Sequence, residues 1–252
     1  VSIVLREESG RGFLSNYITI LNSYKKFVGK EGISYKDIHI STEHFKLYGG
    51  NPREWFDVYN FSDGDENSEF WSTGELNEIE EYPNVESLNL LSYSKFIPYN
   101  TRLKTFLNKN IKSLNKCLGV HYRGTDHFNA IIKPDIMFLN VEEQLKTGKY
   151  EQIFICSEQQ NFIDLIAGFV QINFNDVDII VNDVERCDST PVFYLDTNKI
   201  SLGDQVLLDA HMLSACDFVL GKSSNIVSYA RILNLSLNGF YLDTQKYFLI
   251  GN

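Results

Sequence analysis

Apolar positions change their spacing several times along the chain, and each change marks an element. Residues 1–5 (VSIVL) form an apolar run that predicts a short buried strand. A glycine-containing turn, Glu7-Glu8-Ser9-Gly10-Arg11-Gly12, follows it. Phe13, Tyr17, Ile20, Leu21, Tyr24 and Phe27 then recur at helical spacing. The periodicity is lost over residues 49–90, which are acidic and rich in Asn, Ser and Gly and predict a long surface excursion with short helices. Residues 101–115 predict an amphipathic basic helix. Beyond it, strands expected at 117–122, 152–156, 177–181 and 218–220 alternate with helices at 134–146, 160–169, 205–215 and 225–233. Such alternation predicts an α/β fold with a parallel, doubly wound sheet. The change of character near residues 100–115 predicts a boundary between domains 1–112 and 113–252.

Composition narrows the function classes. The chain has 252 residues, 43% hydrophobic and 22% charged, enough to bury a core without disulfide or metal staples. Its net charge of −10 argues against a general nucleic-acid or anionic-membrane binder. The charge is concentrated, however: between Arg53 and Lys95 lie eleven acids and no Lys or Arg, so the rest of the chain carries about +1 and leaves room for an anion site. Cys117, Cys156, Cys187 and Cys216 form no CxxC pair, which argues against a zinc ribbon or redox dithiol. Cys156, inside an apolar run, reads as a buried thiol in a reducing compartment. No apolar stretch is long enough to span a membrane and no secretory leader is legible, so the expectation is a cytoplasmic chain. Asp63/Asp65 and Asp176/Asp178 have the spacing of a metal-binding acid pair, but such pairs arise by chance in so acidic a chain.

Doubly wound sheets bind ligands at the carboxyl ends of their strands, so the residues that follow each strand are the candidates. The first strand opens into His121-Tyr-Arg123-Gly-Thr125-Asp126-His127. Alternation puts His121 and Arg123 on one face, and Arg123 offers a planar fork for phosphate oxygens. The second is followed by Ser157 and Glu158, read as a helix cap completed by Gln160 and an acid facing the ligand. The third region holds Asp209 on a helix, then a short strand ending in Gly221-Lys222-Ser223-Ser224-Asn225, whose hydroxyls at a helix start can cradle an anion.

His-x-Arg-x-Thr-Asp after a strand, the helix Leu-Asp-x-His-x-Leu-Ser-x-x-Asp-Phe and then Ser-Ser-x-Val together resemble the fucosyltransferase superfamily, with the α1,6-fucosyltransferases the nearest likeness. The resemblance covers about residues 117–235, and Gly10-Arg-Gly12-Phe-Leu-Ser-Asn16 resembles the family's N-terminal entrance. It implies a GT-B architecture: a Rossmann-like acceptor-side domain at 1–112, carrying the acidic insertion, and a nucleotide-sugar-binding domain at 113–252. It further implies an inverting, metal-independent transferase without cofactor that uses GDP-fucose and a glycan or glycoconjugate acceptor. By position, Arg123 would hold the β-phosphate, His121 and Asp209 would read guanine, and Ser223 or Ser224 would lie by the phosphates. Gly12, Asn16, Glu158 and Asn225 would complete the donor site. The chain departs from the family at Gly124, where a second Arg is usual, at His127, where a Lys is usual, and at Ile131, where a carboxylate is usual. The general base is open among Asp126, His127, Asp135 and Glu8. A transferase for another nucleotide sugar and a non-catalytic nucleotide-sugar or glycan-binding module therefore stay as alternatives.

Overall fold

The computed structural model describes residues 2–4, 14, 39–41, 101–124, 132–190, 192, 195 and 199–248. The expected helix at Phe13–Phe27 (Leu14 apart), the acidic region 49–90 and the pair Asp63/Asp65 lie outside these residues. The chain divides into two compact units. Unit 1 comprises Val1–Leu107 with Asn198–Asp204, and unit 2 comprises Asn108–Thr197 with Gln205–Asn252.

In unit 1, β1 (Ser2–Val4) pairs in parallel with β2 (His39–Ser41), with Ile3 opposite Ile40. Arg102 makes a two-pronged ion pair with the buried Asp204, Nη2 donating to Oδ1 at 2.7 Å and Nη1 to Oδ2. Pairing of this kind lets a carboxylate sit at 6% side-chain exposure without leaving its charge uncompensated.

Unit 2 is an α/β layer built from β3 (Cys117–Tyr122), α2 (Pro134–Lys146), β4 (Gln152–Ser157), α3 (Gln160–Asn173), β5 (Asp178–Ile180), β6 (Phe218–Gly221), α5 (Asn225–Leu233), β7 (Asn238–Tyr241) and β8 (Lys246–Phe248). Two helices span the division between the units, α1 (Thr101–Asn110) and α4 (Lys199–Ser214). The sheet order is β5-β4-β3-β6-β7-β8, parallel throughout except for the closing β7–β8 hairpin. The expected α/β class with a parallel sheet between helices is therefore what unit 2 has. All six residues of β3 are buried, as a strand covered on both faces requires. Leu118, Val120 and Tyr122 pack with Met137 and Val141 of α2 and Phe162 of α3. Alternation leaves Cys117, Gly119 and His121 on the other face, where Cys117 Sγ lies 3.8 Å from Cys216 Sγ. All four cysteines are free, and Cys156 is buried as expected.

The structure corrects several boundaries. Helix α1 ends at Asn110 instead of 115 because the next residues are drawn onto the sheet: the Lys112 ammonium donates to the Val181 carbonyl at 2.6 Å, and Asn115 N donates to Gln152 Oε1 at 2.7 Å. Helix α4 begins at Lys199, six residues before the expected start. Ser157 belongs to β4 and does not cap α3. Its hydroxyl accepts from Gln159 N at 3.1 Å, while an α3 N-terminal amide, Asn161 N, is met at 2.9 Å by the distant Asp188 Oδ1. Asp176 and Asp178 sit at the amino end of β5, away from the edge where a ligand is expected. No described helix is long and apolar enough to cross a membrane.

Candidate functional site

The strand order of unit 2 reverses between β3 and β6, each of which continues from a helical crossover on a different side. Loops leaving two such strands diverge, and the gap between them is where open α/β sheets take ligands. His121 and Gly221 are register partners at this point. A Cβ on Gly221 would lie 3.2 Å from His121 Cβ and 3.3 Å from His121 O, so glycine lets β6 end tightly against the histidine.

His121 is 4% exposed. Burial first, and then the positive charges of Arg123 and Lys222, push its pKa down to about 3, so the ring is neutral. Its Nδ1 is 3.4 Å from Ser224 Oγ. Ser224 is the N-cap of α5, in extended backbone, and its Oγ accepts from Val227 N at 3.5 Å. The hydroxyl thus stands between a helix-end amide and the imidazole, with a second lone pair and one proton to offer the ring. One serine serves both a helix end and the buried histidine. The neighbouring Ser223 is exposed and tied to Asp243: its N donates to Oδ1 at 2.9 Å and its hydroxyl to Oδ2. Of the two serines carried over from the resemblance, Ser224 is the one against His121. Asn225 is the first helical residue of α5.

Arg123 follows β3, half-buried, with Nε 3.8 Å from Glu158 Oε1. Glu158 stands one residue beyond β4, and its other oxygen accepts from Val192 N at 3.4 Å. The acid therefore orients the guanidinium. Gly124 is closed: a Cβ there would lie 2.3 Å from Gln159 Oε1, 2.9 Å from Tyr122 Cε1 and 3.0 Å from Tyr122 Oη. The glutamine can swing away. The tyrosine is held by its stack on Phe162, with ring centroids 3.9 Å apart. Gly124→Ala is expected to destabilise the fold by about 1–2 kcal/mol through overpacking, measured as a lower urea midpoint at unchanged slope. The second cation that the resemblance leads one to expect at 124 has no room there. Lys222, 6% exposed and electrostatically coupled to His121, brings positive charge to the same strand ends from β6.

Asp209 on α4 lies further along the same edge. Its Oδ1 accepts from Asn182 Nδ2 at 2.7 Å, and the Cys156 thiol also hydrogen-bonds to its carboxylate. Burial raises the Asp209 pKa to about 6, with Asn182, Arg186 and Cys156 holding it from rising further. Burial, followed by the Asp209 charge, drives the Cys156 thiol well up, so it stays a protonated donor. Cys156 is also the β4 register partner of His121, so it stands on the strand between the two residues that the resemblance assigns to one base. At about 4.8 Å per strand, the edge from β6 to β5 offers about 14 Å for an elongated ligand. Its β6–β3 end is cationic, and its β4–β5 end is acidic and amide-lined.

The structure thus brings together His121, Arg123, Glu158, Asp209 and Ser224. It adds Lys222, Asn182 and Arg186, which the sequence reading did not single out as site residues. Asn182 and Arg186 are in the polar run after β5, and the rule used for the other strands would have found them. Asp135 is exposed in the first turn of α2. Gly12, Asn16, Thr125, Asp126, His127, Ile131 and Glu8 lie outside the described residues. Among the described residues, no three His, Cys, Asp or Glu side chains converge to hold a metal.

No protein-family model matches the chain, and no curated protein matches it. Several solved structures do. The chain is similar to NodZ alpha-1,6-fucosyltransferase soaked with GDP-fucose, at 17% identity over 62% of this chain and 51% of that one, with a TM-score of 0.40. It is similar to the fucosyltransferase NodZ from Bradyrhizobium at 16% identity over 62% and 50%, with a TM-score of 0.40. It is also similar to POFUT1 in complex with GDP-fucose at 11% identity over 56% and 44%, with a TM-score of 0.35. The chain spans about half the length of these structures.

Proposed function

We propose that this chain is a glycosyltransferase that binds a guanine nucleotide sugar on unit 2 and transfers the sugar, fucose by resemblance, to a glycan or glycoconjugate hydroxyl. One observation carries the reading. At the strand-order reversal, Arg123, Lys222 and the Ser224-capped start of α5 meet around a neutral, buried His121, and the same edge continues to the Asp209 carboxylate. A diphosphate suits the first group and a purine edge rich in N–H donors suits the second.

The reaction this supports is a direct, inverting displacement without a metal. The acceptor hydroxyl attacks the anomeric carbon while its proton passes to a general base, for which Asp126 and His127 stand a few residues beyond Arg123. The bond from the anomeric carbon to the β-phosphate oxygen breaks, and negative charge grows on the departing diphosphate. Arg123, Lys222 and the amides at the α5 start stabilise that charge where it develops. Gly12 and Asn16 belong to the donor site by resemblance. The closed position at Gly124 favours, as a second reading, a different nucleotide sugar on the same scaffold.

A thermal-shift panel tests the proposal with GDP, UDP, CMP, GDP-fucose and GDP-mannose, with and without EDTA. A ligand at 100 times its Kd adds about 2.7 kcal/mol to the folded state, a visible rise in Tm. GDP and GDP-fucose are expected to raise Tm equally in EDTA. A shift with UDP alone, or one that needs a divalent cation, would sink the guanine and metal-free assignments. Inverted anomeric configuration of the product, read by NMR, is expected on transfer.

A further inference from the structure

Asn182, the second residue beyond β5, is 4% exposed. Its amide NH2 is committed to Asp209 Oδ1 at 2.7 Å, yet its Oδ1, on the same carbon, is buried without a hydrogen-bond partner among the described residues. Buried amide oxygens are almost always satisfied, so this one has an acceptor position that no described residue fills and that a ligand donor would suit. The carboxylate next to it has capacity to spare. It has about four acceptor positions, and the Asn182 amide and the Cys156 thiol use two. Arg186 donates through Nη1 to the Val184 carbonyl at 3.1 Å and through Nη2 to the Asn182 carbonyl, while its Nε–H is likewise buried and without a partner among the described residues.

We propose that Asn182 is a specificity-determining residue: its buried Oδ1, beside the Asp209 carboxylate, selects a base edge with adjacent N–H donors, the ring N1–H and the 2-amino group of guanine. This rests on the guanine-nucleotide reading and deepens it. Asp209 accepts from N1–H and from one amino hydrogen, and Asn182 Oδ1 accepts from the other. The Arg186 Nε–H adds the one donor that the guanine O6 requires. No other common base fits this set. Uracil presents one donor between two carbonyls, adenine places an acceptor beside its donor, and hypoxanthine keeps N1–H but lacks the amino group. Asn182 also holds Asp209 in place, so a simple loss of affinity on substitution would not separate the two roles. The N2-methyl ligand does, because it keeps N1–H and one amino hydrogen for Asp209 and lacks only the hydrogen assigned to Asn182.

The experiment is calorimetric titration of the whole chain with GDP, IDP and N2-methyl-GDP. The natural chain is expected to bind GDP about 100-fold more tightly than IDP, and N2-methyl-GDP at least about tenfold more weakly than GDP, because the methyl group removes the hydrogen that Asn182 accepts. In Asn182→Ala the GDP-to-IDP ratio is expected to narrow about tenfold and the methyl group to be tolerated. An unchanged ratio in Asn182→Ala overturns the assignment. So does equal binding of GDP and N2-methyl-GDP by the natural chain, a result that stands even if the variant does not fold. Either result leaves the guanine reading intact. Absence of GDP binding with retention of UDP or ADP overturns the guanine reading and this inference with it.

Discussion

Arg123→Ala is expected to lower the rate of sugar transfer about 10²–10³-fold, while GDP affinity falls much less. A lost donor to a developing oxyanion costs about 2.7–4 kcal/mol of transition-state stabilisation. The guanidinium is placed for that role at the end of β3, with Glu158 against its Nε. Glu158 is itself held by Val192 N, so the cation does not have to be reorganised during the reaction. Arg123→Lys is expected to recover little, because an ammonium lacks the planar fork and would not meet Glu158 and two phosphate oxygens together. Lys222 and the α5 start stay in place in both variants, which is why ground-state binding is largely spared. The discriminating measurement is kcat against KM with GDP-fucose. A matched fall in kcat and kcat/KM supports a transition-state role, and a rise in KM alone reduces Arg123 to a binding residue. A fall of less than tenfold in both would remove it from the chemistry.

Much of this end of the site is legible in the sequence, for local reasons. The run CLGVHY is apolar on both faces and then turns abruptly polar, which is how a central parallel strand ends at a ligand edge, and β3 has those bounds. Pro134 opens α2 and Ser224 caps α5, and both helices start where those residues require. What the sequence hid was set by distant partners. Gly203 and Asp204 argue against a helix, but α4 runs through them, and Asp204 is matched by Arg102, far away in the chain. Ser157 looked like a cap because the residue that serves the start of α3, Asp188, lies in a later loop. Strands β7 and β8 are four and three residues long, too short for an alternation to be read. The base-side cluster joins Cys156 of β4, Asn182 and Arg186 of the run after β5, and Asp209 of α4, three separate segments, so no single local spacing announces it.

Asp209→Asn is expected to abolish guanine-nucleotide recognition and to strengthen the empty fold at neutral pH. The first effect follows from the chemistry of the edge. The variant turns an NH2 toward base donors and loses two charge-assisted hydrogen bonds at about 1.5–3 kcal/mol each, a loss of at least about 10²-fold in GDP affinity. The second follows from burial, which raises the Asp209 pKa to about 6. A raised carboxyl contributes stability that is fully present below its ordinary value and is lost as pH rises through about 6. His121, held at about 3, does the reverse: its contribution is present above its ordinary value of 6.5 and is lost as pH falls. Between about pH 4 and 6 the native state holds the Asp209 proton and the unfolded state holds the His121 proton, so the two slopes cancel. Removing the carboxyl leaves the histidine slope alone, about 1.4 kcal/mol per pH unit. Urea unfolding of both proteins from pH 4 to 7 is expected to show the variant gaining about 3 kcal/mol on the natural chain over that range. GDP binding by the natural chain is expected to weaken about tenfold per pH unit below 6, because the base needs the ionised acceptor. A pH-independent difference between the two unfolding curves would mean that folding does not raise the Asp209 pKa, and the compromise between holding the base and holding the fold would not exist.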